Sequence, residues 1–417
     1  MTDAPPAFRP LRILAIGYAT STHVVNRVRC FRALGHEVYL LGTPAAGLTD
    51  VTELVPSVRP GQDEWVARLV RWSGRLVRRD LSGISDMVRL FLDCRRLIKI
   101  TKADVFHVHY AYSTWAWLAG ALGVRPLVVS IMGGDVLFKE QGAPTRRGIA
   151  LTKRLLAAAD RITAKSDFLI GVLDDLGGYR SKAIRVIWGV DPEQFRPLDA
   201  SALRSQYGIP AKAQVILSPK ILQPFYNIDV LVEALAVVVS RVPEAHLVVT
   251  EYGADPQYRA ALDDQIKRLG LGSHITFVGR IPHDQMPLYY NLAEVAVGIP
   301  RSDGLPQTLL EAMACGVPNI VGRLGRYSEI VKDGESALFT DIEPARVAEA
   351  ILRLLQDEGL RKSVIARGRE TVMDVASFPR DVRRMEAVYR ELAAQPKQPF
   401  RYRTMMLVDV ARYWLRV

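Results

Sequence analysis

Two carboxylates eight positions apart, Asp303 and Glu311, mark the stretch of this sequence with the most chemistry in it. Residues 295–299 form a short apolar run that predicts a strand. Arg301, Ser302, Asp303 and Gly304 then break the run with turn formers, and Pro306 opens a helical pattern that contains Glu311. A strand-to-helix loop at the carboxyl end of a parallel sheet points backbone N–H groups and the positive end of a helix dipole at whatever lies above it. Gly304, Leu305, Pro306 and Gln307 are therefore a candidate anion seat. Acidic acceptors beside such a seat suit the hydroxyls of a sugar and a ribose, so the predicted ligand chemistry is that of a sugar nucleotide.

Two further stretches bring chemistry to strand ends. DVFHVHY, residues 104–110, predicts a short strand on which His107 and His109 alternate and so share a face. A lone histidine is most often a hydrogen-bonded core or rim residue; the strand end makes His109 the candidate for a functional role. A strand over 127–131 runs into MGGD. There Gly133 and Gly134 permit close backbone approach to a ligand, while Asp135 either accepts from a hydroxyl or caps the next turn.

The elements that must position these groups alternate as strand and helix along most of the chain. An apolar run over 11–17, a helix over 22–34 ending at Gly35 and a strand over 37–41 open a βαβ unit. The first loop, GYATSTH, lacks the GxGxxG spacing of a dinucleotide fold. A strand is expected over 184–188. Residues 189–200, GVDPEQFRPLDA, have no periodicity and are rich in Pro, Gly and acids, which predicts an interdomain linker. After them the alternation restarts, and beyond residue 343 the pattern is helical. A chain of 417 residues is too long for one ordinary core. The predicted fold class is α/β: two doubly wound, Rossmann-like domains facing across a cleft, with C-terminal helices returning to the first domain. The expected boundaries are 1–195, 196–385 and a helical tail over 386–417.

Composition narrows the partners. A formal charge of +11 implies something anionic: nucleic acid, a membrane surface or a phosphorylated ligand. No recognised nucleic-acid-binding module accompanies the arginines, so nucleic acid is the weakest of the three. Cys30, Cys94 and Cys315 show neither metal-ligand nor redox spacing, which predicts a reducing compartment, by default the cytoplasm, and no metal. The start, MTDAPPAFRP, lacks the features of a secretory signal, and no apolar stretch approaches the roughly 20 residues needed to span a bilayer. Trp65, Leu69, Trp72, Leu76 and Val77 recur at helical spacing among Arg68, Arg71, Arg75, Arg78 and Arg79, and residues 87–100 repeat the mixture. Either these are outer helices with solvated arginine faces, or they form an amphipathic surface that lies on an anionic membrane. The C-terminal FRYRTMMLVDVARYWLRV allows the same two readings, with Leu407, Val410, Ala411 and Trp414 on one face.

LEAMACGVP (310–318), SEIVKDGESALF (328–339), GHEVYLLG (35–42), DVFHVHY and GVDPEQFRP together resemble the retaining glycosyltransferases of family 4, also called group 1, which have the GT-B fold. The resemblance covers nearly the whole chain in order. It implies transfer of a sugar, with retention, from a nucleoside-diphosphate donor of UDP or GDP type, with no further cofactor and no required metal. Asp303 and Glu311 resemble the family's acidic pair, with the first member one methylene shorter; the resemblance assigns Glu311 to the donor ribose and Asp303 to the donor sugar. Lys220, in SPKILQPFYNIDVLVEAL, resembles the first of two cations that hold the donor diphosphate. The second, a lysine, is absent: Tyr226 and Asn227 stand where Lys-Gly is expected, and Arg280 and Arg323 are the candidates to compensate. His109 matches a histidine beside the reacting sugar. Met132 replaces a family histidine, and Trp188 an asparagine.

The expected function is thus a glycosyltransferase of cell-envelope, polysaccharide or glycolipid synthesis, peripheral on the inner face of the cell membrane, with a glycan or lipid-linked acceptor. The alternatives are a sugar-nucleotide epimerase of the same fold and a non-catalytic sugar-nucleotide-binding protein.

Overall fold

Short, largely apolar runs form the strands, as expected where both sheet faces are covered. In a computed structural model, which describes residues 9–43, 51–56, 81–140, 144–396 and 403–415, every residue of Val105–His109, Ala245–Val249 and Asn319–Gly322 is buried. Such strands suit parallel sheets with a helix on each face. The described residues divide into two compact units, 1–186 with 382–417, and 187–381.

The first unit holds seven parallel strands: β1 (Arg12–Tyr18), β2 (Glu37–Thr43), β3 (Thr52–Leu54), β4 (Val105–His109), β5 (Leu127–Ser130), β6 (Arg161–Ala164) and β7 (Ala183–Arg185), in the spatial order β3-β2-β1-β4-β5-β6-β7. The chain winds outward from β1 to β3, then crosses back so that β4 pairs with β1, Ile13 opposite Val105 and Ile16 opposite Val108. The loops after β1 and β4 therefore leave in opposite directions and open a crevice at the carboxyl edge of the sheet. The expected strand over 184–188 stops at Arg185 because Trp188 takes a left-handed φ of 55°. That conformation suits Asn far better than Trp.

The second unit repeats the winding. Its strands are β8 (Gln214–Ser218), β9 (Ala245–Val249), β10 (Ile275–Phe277), β11 (Val295–Gly298), β12 (Asn319–Gly322) and β13 (Leu338–Thr340), in the order β10-β9-β8-β11-β12-β13. The reversal falls between β8 and β11, where Val295 lies opposite Ile216. The stretch 189–200 is not a loose tether. Val190 and Phe195, 3% and 2% exposed, sit in the core of this unit, and the Val190 N–H donates to the Ala376 carbonyl.

Helix Pro344–Gln356 turns Val347, Ile351 and Leu354 into the second core. Helix Phe378–Ala394 passes from the second unit to the first between Asp381 and Val382, and buries Met385, Tyr389 and Leu392. Helix Arg403–Leu415 lays Met406 and Val410 in the core of the first unit, with Leu407 partly buried beside them. Of the tail residues expected on the apolar face, Ala411 and Trp414 have side chains outside the described set, as do Trp65, Leu69, Trp72, Leu76, Val77 and the arginines among them. Among the described residues no helix is long and apolar enough to cross a membrane.

Candidate active site

The winding of the second unit brings together the carboxyl ends of β8 and β11, and with them Lys220 and Asp303. Lys220 follows β8 by two residues and is 7% exposed; its Nζ lies 3.6 Å from Asp303 Oδ2. The lysine stem crosses directly over β11 at Gly298, where a Cβ would stand 2.6 Å from Lys220 Cε, so the absence of a side chain there is what admits the cation. Burial lowers the Lys220 ammonium below the ordinary lysine value, and the charges of Asp303 and then Glu311 offset part of that. Burial, and secondarily Asp303, pushes the Tyr226 phenol up to about 12 and Tyr327 higher still. The Tyr327 hydroxyl is fully buried and has no hydrogen-bond partner among the described residues.

The loops carrying this pair are laced to each other. The Arg301 N–H donates to the Phe225 carbonyl at 3.1 Å, and Asn227 Nδ2 donates to the Ile299 carbonyl at 2.7 Å. Asn227 is able to turn back in this way because it adopts φ 53°, the left-handed region that asparagine tolerates. Tyr226 and Asn227 therefore hold the loop's shape, and neither supplies the missing cation.

Glu311 sits on helix Gln307–Ala314, 3% exposed, with both oxygens engaged. Oε1 lies 2.9 Å from His283 Nε2, and Oε2 accepts from the Tyr290 hydroxyl at 2.8 Å. The His283 ring packs on Phe195, centroids 5.2 Å apart. These bonds fix the rotamer of the carboxylate and leave the second lone pair of each oxygen for a ligand hydroxyl. Sequence reading missed His283 and Tyr290. The one signal available was the position of His283 in the polar loop after β10, at the same sheet edge.

Of the residues expected in the anion seat, Gly304, Leu305 and Pro306 are buried ahead of the first helical residue, Gln307. Pro306 has no N–H, so the donors this stretch can offer are the other three. The Gln307 side chain is occupied as well, donating from Nε2 to the Gly189 carbonyl at 2.6 Å. The expected substitutes for the missing lysine are engaged elsewhere. Arg323 is exposed and paired with Asp333 at 3.2 Å and Asp341 at 3.5 Å, while the Arg280 guanidinium stands over the Tyr252 ring at 5.3 Å.

In the first unit the two edge histidines are neutral and turned inward. His107 and His109 stack with centroids 4.0 Å apart and are 1% and 2% exposed. His107 Nε2 lies 2.7 Å from Ser130 Oγ, and its Nδ1 meets the Tyr389 hydroxyl. Arg27, from helix Thr22–Ala33, places Nη1 3.1 Å from His109 Nδ1 and Nη2 3.7 Å from Met132 Sδ. Burial first, then the neighbouring His107 and Arg27, hold His109 well below the usual imidazole range; burial and Arg27 do the same to His107. Because a guanidinium only donates, His109 Nδ1 accepts, and its proton is on Nε2. In the MGGD turn, Asp135 is fully buried. It accepts from the N–H groups of Ala111 at 2.7 Å, Met132 at 2.9 Å and Gly133 at 3.0 Å. Of the two roles open to Asp135, the structure has the turn, and the Gly133 N–H, at φ 113°, is committed to it. Gly134 lies in the same turn. Among the described residues no group of three or more His, Cys, Asp or Glu side chains is placed to hold a metal ion.

Comparison with known proteins bears on the family and the fold. Residues 20–194 match the family Glycosyltransferase Family 4, and residues 199–371 match Glycosyl transferases group 1. The chain is 31% identical to a D-inositol 3-phosphate glycosyltransferase of Acidothermus cellulolyticus, over 70% of this chain and 68% of that one. It is 25% identical to the N-acetyl-alpha-D-glucosaminyl L-malate synthase of Bacillus anthracis, over 70% and 76%. Two solved structures share the fold. HepE of Anabaena, in complex with UDP and glucose, has a TM-score of 0.71 at 18% identity, covering 92% of this chain and all of that one. Sucrose-phosphate synthase of Thermosynechococcus elongatus has a TM-score of 0.73 at 20% identity, covering 92% and 99%. With two parallel sheets of Rossmann-like winding in the GT-B manner, and a relative this similar over two thirds of both lengths, the chain belongs to the family 4, group 1 glycosyltransferases.

Proposed function

We propose that this glycosyltransferase takes its sugar from a nucleoside-diphosphate donor and transfers it with retention to an acceptor hydroxyl. The observation that carries the reading is the Lys220–Asp303 pair at the β8/β11 edge, with Glu311 held ready by His283 and Tyr290. The chemistry that fits is front-face transfer. The bond from the anomeric carbon to the β-phosphate oxygen breaks, the acceptor oxygen bonds to the same face of that carbon, and the acceptor proton leaves with the diphosphate. Lys220 and the N–H groups of Gly304, Leu305 and Gln307 stabilise the charge that grows on the leaving group. Asp303 orients the sugar and Glu311 the ribose, contributing position more than proton transfer. His109, neutral with its proton on Nε2, is suited to donate a hydrogen bond to a sugar oxygen. The UDP and glucose in HepE support a nucleotide donor.

The test is a thermal-shift series with UDP, GDP and their sugars, followed by product analysis of the anomeric configuration. Stabilisation by one nucleotide and a retained anomer are expected. Conversion of donor alone, with no acceptor present, would favour the epimerase instead. Donor binding without transfer over a panel including inositol 3-phosphate and L-malate would favour a non-catalytic binder.

A second observation bears on the acceptor. Helix Leu81–Thr101 exposes Leu92 and Ile100, 54% and 61%, among the exposed Arg89, Arg95, Arg96 and Lys99, while Leu90 and Cys94 face the core. Apolar side chains within a basic stripe fit an anionic lipid surface and, with it, a lipid-linked or glycan acceptor in envelope synthesis on the cytoplasmic side. Flotation with anionic liposomes at low salt checks this; a chain that stays at the bottom of the gradient removes it.

A further inference from the structure

A departing diphosphate carries more negative charge than one half-neutralised lysine offsets, and Lys220 already faces Asp303 at 3.6 Å. We infer that Arg301 is the second cation of the diphosphate seat, positioned there by its hydrogen bond to Asn227. This rests on the nucleoside-diphosphate reading above and names a residue that the resemblance does not assign.

Three observations support it. First, Arg301 follows β11 by three residues, on the loop that carries Asp303, and its backbone N–H is bonded to Phe225 on the loop that carries Lys220. Its side chain thus starts at the seam between the two loops that frame the lysine. Second, its Nε lies 3.4 Å from Asn227 Oδ1, and Asn227 is itself buried and anchored to Ile299. One edge of the guanidinium is thereby held while the terminal nitrogens keep the fork that matches phosphate oxygens. Third, several other cations of this unit are engaged away from the pair: Arg204 with Glu294, Arg259 with Glu251 and Asp263, Arg323 with Asp333 and Asp341, and Arg280 over the Tyr252 ring, while Arg326 donates to the Ser302 hydroxyl at 3.3 Å. Arg301 meets an uncharged amide among the described residues, which leaves its charge unneutralised by that bond. It is exposed, so a ligand can reach it from solvent.

Calorimetric titration with uridine, UMP and UDP, and with guanosine, GMP and GDP, separates the base from the phosphates. In Arg301→Ala the gain in affinity from nucleoside to diphosphate should shrink by about tenfold or more, with nucleoside binding unchanged. Arg301→Lys should recover part of it, because charge returns without the fork. An exposed side chain leaves the fold little to lose, and an unchanged melting curve confirms that. Asn227→Asp, which turns the brace into a carboxylate, should weaken diphosphate binding while Arg301 remains. If the wild-type chain binds neither UDP nor GDP, the donor reading fails and this assignment with it. If the wild type binds UDP or GDP and Arg301→Ala keeps the full nucleoside-to-diphosphate gain, the donor reading stands and Arg301 is not the second cation.

Discussion

The two sheets share one winding, and the sequence uses it in opposite ways. At the β1/β4 edge of the first unit the polar groups face inward: two neutral stacked histidines, a buried arginine that donates to one of them, a serine and a tyrosine hydroxyl. At the β8/β11 edge of the second unit the groups are ionic: Lys220 against Asp303, Glu311 held between His283 and Tyr290, Arg301 at the seam. Topology provides the crevice in both. Side chains decide whether the crevice becomes an inward-bonded wall or a seat of paired ions, so fold resemblance alone says nothing about which edge binds a phosphate.

The largest expected effect falls on Glu311. Glu311→Gln should lower kcat/KM by about a hundredfold or more, since a neutral amide would lose the charged bond proposed to ribose and mismatch Tyr290. Retained far-UV circular dichroism shows that the fold survives; turnover equal to wild type would remove Glu311 from the site. Lys220→Met comes next. It should leave nucleoside affinity intact and reduce diphosphate affinity by about ten- to a hundredfold. Equal losses for nucleoside and diphosphate would show that the lysine is structural.

The contrast predicts a pH signature for the second unit. Lys220 in the unliganded fold titrates below the unfolded lysine value, so between those two values the unfolded chain holds more protons, and its folded contribution to stability rises with pH. Diphosphate affinity should fall across the same window as the ammonium deprotonates. Lys220→Arg should flatten that fall, and a wild-type affinity constant up to the ordinary lysine range would contradict the burial argument.

The first unit should respond in stability rather than in binding. His107→Leu leaves the Tyr389 and Ser130 hydroxyls without their imidazole and should cost about 1–3 kcal/mol in urea unfolding. UDP affinity should not move, and a loss there would blur the division drawn between the edges. The smallest effect is expected at Gly298→Ala. The new methyl would meet the flexible end of Lys220, so a several-fold loss of diphosphate affinity with little change in stability is the outcome to look for in paired titration and melting curves.

What was legible from the sequence follows from where the determining interactions lie. The strands could be read because a buried parallel strand is a short, mostly apolar run, and Asp303 with Glu311 because one loop and one helix carry both. His283 and Tyr290 could not be paired with Glu311, since they reach it from another loop and helix and no spacing encodes that. Residues 189–200 have the composition of a tether, yet Phe195 closes over His283 and the segment is packed; composition reports what a stretch lacks in periodicity, not what it touches. Asp135 was ambiguous because a turn and a ligand hydroxyl offer it the same hydrogen bond. Trp188 shortened a strand through a backbone angle to which an apolar pattern is blind.

The lacing of the β8 and β11 loops has a consequence for inheritance. Asn227 and Arg301 are each other's partners across the seam, so a change at either alters the context in which selection sees the other. On the proposed role of Arg301, a lysine gained near position 226 should release the need for arginine at 301, and loss of the asparagine should let both positions drift. The two positions, 74 residues apart, are expected to travel through descent as a single character.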